Sequence, residues 1–278
     1  MATVRELLDA AADLPGESAR RDVEVLLCHC LGKSRAWLYA WPEAEIDAPQ
    51  QRHYAQMLAQ RRAGRPLAYL TGRREFWSLD LAVNDATLIP RPETETLVAR
   101  ALELPLAADA AVLDLGTGSG AIALALASER PGWRVTATDK CPAALAVALR
   151  NARDCGLQQR VELLSADWFD GLQGRRFDLV LSNPPYIDPA DPHLDRGDLR
   201  FEPRGALVAA QGGLADLAGI VRDAPAHLRP GGALWLEHGY QQGEAVRRLL
   251  REGGFQQVDS VRDLAGHERI SGGVLGAH

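Results

Sequence analysis

Three features of this sequence predict an α/β protein: a mostly parallel sheet with helices on both faces, a small helical bundle ahead of it and a hairpin linker between them. From Ala111 onward, short apolar runs alternate with helical stretches, the rhythm of strands joined by crossover helices. Roughly the first 75 residues instead carry apolar side chains at helical spacing. Between the two lies a stretch punctuated by turn residues and by Pro90 and Pro92. The expected boundaries are 1–75 for the bundle, 76–92 for the linker and 93–278 for the larger domain. With 278 residues, 46% of them hydrophobic and 24% charged, the chain can bury one large core and one smaller one.

Taken in order, Thr3 with Glu6 has the pattern of a capping box, and Val4, Leu7 and Leu8 follow at helical spacing until Pro15 and Gly16 break the run. A second helix fits Ser18 to Leu31, with Val23, Leu26, Leu27 and Cys30 on one face. A third fits Pro49 to Ala63, ended by Gly64 and Pro66. This bundle has a core face and no evident chemistry, which makes it a candidate for recognising a substrate. Between Phe76 and Leu88, extended stretches around Asn84 and Asp85 predict a hairpin. A helix then begins near Glu93, and the runs AVLDL, WRVTATD, VELLS, FDLVLS, GALWLE and FQQVDSV read as successive strands.

Composition excludes several classes of function. Lys and Arg total 31 against 37 Asp and Glu, a formal charge of −6, which argues against a dedicated binder of duplex nucleic acid. The arginines between Arg61 and Arg74 are the best candidate for a local basic patch. The four cysteines, Cys28, Cys30, Cys141 and Cys155, form no CxxC pair, and they read as free thiols of a reducing compartment. His29, His53 and His193 lack metal-ligand partners at useful spacing, so no metal is expected. Neither a leader nor a run of roughly 18 apolar residues is evident, and the expected location is the cytoplasm.

Asp114-Leu115-Gly116-Thr117-Gly118-Ser119-Gly120 follows a buried strand and opens the helical run from Ala121 to Ser128. Glycines let backbone approach a ligand closely, and the amides of a helix start favour an anionic group. The turn alone is a weak signal, because Gly116, Gly118 and Ala121 also satisfy a dinucleotide fingerprint, so NAD and S-adenosylmethionine both remain open. Asp139 closes the next strand, where a carboxylate can hold two ribose hydroxyls of either cofactor. After the third strand, Asp167 and Trp168 offer a carboxylate for an exocyclic amine and a flat surface for an adenine ring.

Asn183-Pro184-Pro185-Tyr186 directly follows FDLVLS, and its prolines must end that strand at the edge where open parallel sheets bind ligands. A nitrogen carrying two hydrogens needs two acceptors to hold it. The Asn183 side-chain oxygen can take one hydrogen and the Pro184 carbonyl the other, with the Tyr186 ring covering the planar group. Asn183, Pro184 and Tyr186 are the expected catalytic residues, and Asn183 to Tyr186 the expected substrate site. Orientation of this kind is worth roughly 7 to 11 kcal/mol of barrier in favourable cases.

DLGTGSG followed by NPPY resembles the amino-methyltransferases that modify adenine, cytosine or glutamine. The stretches PLAYLTGRREFWSLDLAVNDATLIPRPETETLV, NPPYIDPADPHLDRGDLRFEP and LWLEHG narrow the resemblance to the peptide chain release factor N5-glutamine methyltransferases, from about Arg61 onward. The resemblance implies a Rossmann-like class I methyltransferase sheet. It also implies methyl transfer from S-adenosyl-L-methionine, leaving S-adenosyl-L-homocysteine, to the glutamine amide in the Gly-Gly-Gln loop of class I release factors of translation termination. Carried onto matching positions, Asp114, Gly116, Thr117, Gly118, Ser119, Gly120, Asp139, Asp167, Trp168 and Asn183 would contact the cofactor. The alternative is a nucleic-acid adenine-N6 or cytosine-N4 methyltransferase that flips a base into the same pocket, and the acidic charge balance counts against it.

Overall fold

The computed structural model describes residues 2–9, 14 and 19–276; the expected break at Pro15 and Gly16 and the expected helix start at Ser18 lie outside the described residues. By contacts the chain divides into two compact units, one of residues up to Arg73 together with Arg196–Phe201, the other of Arg74–Asp195 and Glu202 onward.

The first unit holds helices Val4–Asp9, Ala19–Leu31, Arg35–Ala40, Ala48–Arg62 and Leu67–Thr71. Thr3 and Glu6 close the capping box reciprocally, with Thr3 N donating to Glu6 Oε2 at 2.9 Å and Glu6 N to Thr3 Oγ1 at 3.3 Å. Val23, Leu26 and Leu27 pack with Val4, Leu38, Tyr54 and Met57 in one core. The helix at Arg35–Ala40, too short to show periodicity, is started by the Ser34 hydroxyl accepting from Trp37 N. Arg61 pairs with Asp22 at 2.8 Å and with Asp198 at 3.8 Å, so this arginine is spent inside the unit.

The strands β1 (Arg73–Phe76) and β2 (Leu79–Ala82) form the hairpin. Its turn is at Trp77 and Ser78, both with positive φ (51° and 60°), ahead of the expected position. Neither residue advertises a turn. Asn84 and Asp85 instead follow the hairpin, where Asn84 Oδ1 accepts from Ala86 N. Arg74 Nε donates to the Pro90 carbonyl.

The main sheet has seven strands in the order β5-β4-β3-β6-β7-β9-β8. They are β3 (Ala111–Leu115), β4 (Arg134–Asp139), β5 (Val161–Ser165), β6 (Phe177–Ser182), β7 (Leu228–Glu237), β8 (Phe255–Arg262) and β9 (Glu268–Leu275). The strands from β5 to β7 pair in parallel, whereas β9 runs antiparallel to both β7 and β8. This is the expected mostly parallel sheet with one strand more than the apolar runs indicated. Gly272 and Gly273 make β9 read as a turn. Both are strand residues, and at Gly272 the Trp235 ring of β7 fills the space a side chain would take: a Cβ there would lie 2.2 Å from it.

Every residue of β3 is buried. Val112 faces a core shared with helices Glu95–Glu103 and Ala121–Glu129, while Leu113 and Leu115 face another shared with helices Ala215–Asp223 and Gly243–Glu252. The chain runs outward from β3 through β4 to β5 and then returns to lay β6 against the other side of β3. Strand order therefore reverses between β3 and β6, and the crevice beyond their carboxyl ends is where this architecture admits a ligand.

Candidate functional site

Leu115 and Ser182 are register partners at those two carboxyl ends, and Ser182 Oγ donates to the Leu115 carbonyl at 2.8 Å. The residues that follow them are Gly116 and Asn183. The topology thus brings the glycine turn and the NPPY tetrad to one place, although 67 residues separate Leu115 from Ser182.

Backbone groups build the glycine-turn half. Gly116 and Gly118 have φ of 69° and 57°, a region that a side chain enters only under strain. A Cβ on Gly116 would lie 3.3 Å from the Trp168 ring, whereas one on Gly118 would enter open space. Gly118 N donates to Asp139 Oδ2 at 2.9 Å and Cys141 N to Asp139 Oδ1 at 2.8 Å, so two amides orient that carboxylate and leave its remaining lone pairs for a ligand. Beneath the turn, Asp114 is fully buried and accepts from Thr117 Oγ1 at 2.6 Å. Burial pushes its carboxyl up to about 7.

Trp168 also has positive φ, 51°, a strained setting for a large side chain. Burial pushes the carboxyl of nearby Asp216 upward. Lys140 stands 6.0 Å from the ring centroid and 3.4 Å from Asp167 Oδ1.

Side chains build the NPPY half. Asn183 Nδ2 donates to Thr94 Oγ1 at 3.2 Å, which commits the nitrogen end of the amide and leaves the oxygen end free. Tyr186 packs against the core under β3, and its hydroxyl donates to Glu237 Oε1 at 3.3 Å. Gln242 Nε2 donates to the Tyr186 carbonyl at 3.0 Å, and a Cβ on Gly213 would strike that same carbonyl at 2.0 Å, so the backbone after the tetrad is wedged in place. Burial pushes the Glu237 carboxyl up to about 7, against the pull of Thr94, Arg269 and Tyr186.

Both halves open onto a cavity of about 220 Å³. Gly116, Thr117, Gly118, Ser119, Asp139, Asp167, Trp168, Asn183 and Pro185 line it; of the other expected site residues, Asp114, Gly120, Pro184 and Tyr186 do not. Tyr186, expected to cover the substrate, is half-buried, packs against the core under β3 and places its hydroxyl on Glu237. Sequence reasoning missed Thr94, Arg91 and Glu237. Arg91 lines the cavity and pairs with the buried Glu202, which also accepts from Ile89 N. The signal was present: Arg91 and Thr94 lie in IPRPETE, and Glu237 is an acid closing an apolar strand, as Asp139 is.

Residues 3–72 match the family model described as PrmC N-terminal domain, and residues 94–197 match the methyltransferase small domain. The chain is 52% identical over 257 residues to the release factor glutamine methyltransferase of Shewanella oneidensis, covering 92% of this chain and 90% of that one. To the protein of the same description from Pseudomonas aeruginosa it is 51% identical over 271 residues, 98% of each chain. Among solved structures, a methyltransferase from Pyrococcus furiosus shares the fold, with a TM-score of 0.54 at 19% identity over 83% of this chain and 100% of that one.

Proposed function

This chain belongs to the release factor glutamine methyltransferases, protein-glutamine N-methyltransferases that use S-adenosylmethionine, and from that premise we propose which of its residues hold the methyl donor and which hold the acceptor. The donor occupies the cavity over the glycine turn. The residues suit it: open space above Gly118, a carboxylate at Asp139 already oriented by two amides, and Trp168 beside Gly116 with Asp167 for an adenine. Bound there, S-adenosylmethionine supplies an electrophilic methyl group.

The acceptor is the side-chain amide of the glutamine in the Gly-Gly-Gln motif of class I release factors. Asn183 Oδ1 and the Pro184 carbonyl each accept one of its hydrogens, which aims the nitrogen at the donor. The observation that carries this reading is the hydrogen bond from Asn183 Nδ2 to Thr94, because it ties down the nitrogen end of the amide and leaves its oxygen available to the substrate. An amide nitrogen that has gained a methyl is strongly acidic and sheds its proton to water, so orientation and not a strong base is what the residues must provide. Tyr186 anchors the tetrad to β7 through Glu237.

Among the described residues no helix is long and apolar enough to cross a membrane. The cytoplasm, where release factors act, is the proposed location, and the helical unit is proposed to recognise the folded release factor. Tritiated methyl from S-adenosylmethionine, offered in parallel to an intact release factor, its glutamine-to-glutamate variant and duplex DNA, tests the assignment. Label is expected in the unaltered release factor alone. Label in the DNA and none in the release factor would move the chain to the base-modifying class.

A further inference from the structure

We propose that the turn between β8 and β9, with Leu264 at its tip, and Tyr240 beside it form a docking surface for the folded domain of the release factor that carries the Gly-Gly-Gln loop. What they offer that domain is an apolar contact on the rim of the substrate cavity. This rests on the release factor being the substrate, as proposed above.

Strand register fixes the place. Ser182 on β6, Leu236 on β7, Ser271 on β9 and Ser260 on β8 are successive register partners in one row across the sheet. Asn183 follows the first of them, and the turn of residues 263–267 lies past the last two at that same edge. Two strand spacings, about 10 Å, separate β6 from β9. Tyr240 is tied to the tetrad more directly. It lies in the turn that Gln242 N closes on the Gly239 carbonyl at 2.8 Å, and Gln242 Nε2 is the group that donates to the Tyr186 carbonyl. The Tyr240 and His267 rings meet with 5.4 Å between centroids, so the loop after β7 and the β8–β9 turn make one surface. A folded partner with an interface of ordinary size covers about 800 Å² of each molecule, a disc of about 16 Å radius, which reaches this rim when centred on the cavity.

Leu264 is fully exposed, while the backbone beneath it is fixed. Asp263 is buried, with Oδ1 accepting from Ala265 N and His267 N, each at 3.0 Å, and Oδ2 from Arg269 Nε at 3.1 Å. Main-chain bonds run from Asp263 N to the His267 carbonyl and from Gly266 N to the Asp263 carbonyl, both at 2.9 Å, and Arg262 Nη1 donates to the Gly266 carbonyl at 2.6 Å. None of these bonds involves the Leu264 side chain, so the fold does not require a leucine there. A turn held this firmly gives up little conformational entropy when a partner covers it, and apolar area at its tip then goes into affinity. One exposed leucine alone needs no explanation. Here, however, three large apolar side chains are exposed among the described residues of the unit that holds the cavity, and two of them, Tyr240 and Leu264, share this rim. The charges nearby are already paired, Arg262 with Glu268 at 3.8 Å and Arg269 with Asp263, which leaves apolar contact as what the rim presents.

Leu264→Asp and Tyr240→Ala test this in the full chain, with intact release factor and tritiated S-adenosylmethionine. Each is expected to raise the KM for the release factor roughly tenfold or more, while kcat at saturating release factor and the KM for S-adenosylmethionine stay within about twofold of the wild type. Leu264→Met, which keeps an apolar tip, should match the wild type in all three. A merely structural role would lower the melting temperature, yet the Leu264 variants, altered only at an exposed side chain, are expected to melt within about 2 °C of the wild type. Wild-type labelling of the release factor together with an unchanged KM for it in Leu264→Asp overturns this inference alone, as does a loss that appears in kcat and not in that KM. If Leu264→Asp does not fold, an unchanged KM in Leu264→Ser overturns it. No wild-type label in the release factor overturns the substrate assignment, and this inference with it.

Discussion

The two halves of the cavity are built from different materials. Around the glycine turn the contacts are short in sequence and two of the three have backbone donors: Gly118 N to Asp139 across 21 residues and Cys141 N to Asp139 across two, beside the side-chain bond from Thr117 to Asp114 across three. Around NPPY they are long and made by side chains: Asn183 to Thr94 across 89 residues and Tyr186 to Glu237 across 51. Backbone amides in a turn hold a ligand, whereas an amide side chain tied at one end to a hydroxyl presents its other end. The first half suits binding and the second suits orientation, so damage to each should appear in a different measurement.

The largest effect is expected where the cradle is filled. Gly118→Val places a branched side chain in the open space above the turn, at a φ of 57° that it resists, and S-adenosylmethionine affinity should fall more than about a thousandfold. Circular dichroism should still report a folded chain, and calorimetry showing undiminished affinity in that chain would remove the cofactor from this turn. Next comes Asn183→Ala, with kcat down roughly a hundredfold or more and cofactor affinity within a few fold, as for a lost positioning contact. Turnover close to that of the wild type would erase the distinction between the halves.

A smaller effect concerns stability. The folded pKa of Asp114, raised to about 7 by burial, lies above its unfolded value. The folded state therefore holds a proton that the unfolded state releases between about pH 4 and 7, and stability declines as pH rises through that window. Asp114→Asn keeps an acceptor for Thr117 and removes the titration. It should flatten the decline by roughly 2 kcal/mol in urea unfolding at pH 5 and pH 8; an unaltered slope would mean that Asp114 titrates normally. The smallest effect is expected for Asp139→Asn, which leaves one oxygen and loses the charge on it. S-adenosylmethionine should bind about tenfold more weakly with kcat little changed, and a loss confined to kcat would place Asp139 in the wrong half.

The same contrast explains what the sequence disclosed. Gly116, Gly118 and Asp139 were legible because a turn that excludes side chains, next to an apolar run, leaves a local signature. Asn183 was legible because two prolines stop its strand. Thr94 and Glu237 carried a local cue, a place in IPRPETE and an acid closing an apolar strand, but what they touch becomes readable only once β3, β6 and β7 lie side by side. The parallel strands were readable as apolar runs, but β9 was not, because Gly272 and Gly273 read as a turn until the Trp235 ring is seen to fill the space beside Gly272. The hairpin was displaced for a similar reason: Trp77 and Ser78 take positive φ although neither is the glycine, asparagine or aspartate that usually marks such a turn.

The interior position of β9 has a further consequence, for the order in which the enzyme can be made. The last strand in the chain lies between β7 and β8, and its Ile270 is the register partner of Glu237. A ribosome synthesising this chain releases the glycine turn and Asp139 long before Ile270. The nascent protein can therefore complete its donor cradle early, while β7 waits for a neighbour and Glu237 for the strand that buries it. Burial of Glu237 is thus deferred to the last stage of synthesis, whereas the glycine turn and Asp139 leave the ribosome well before it.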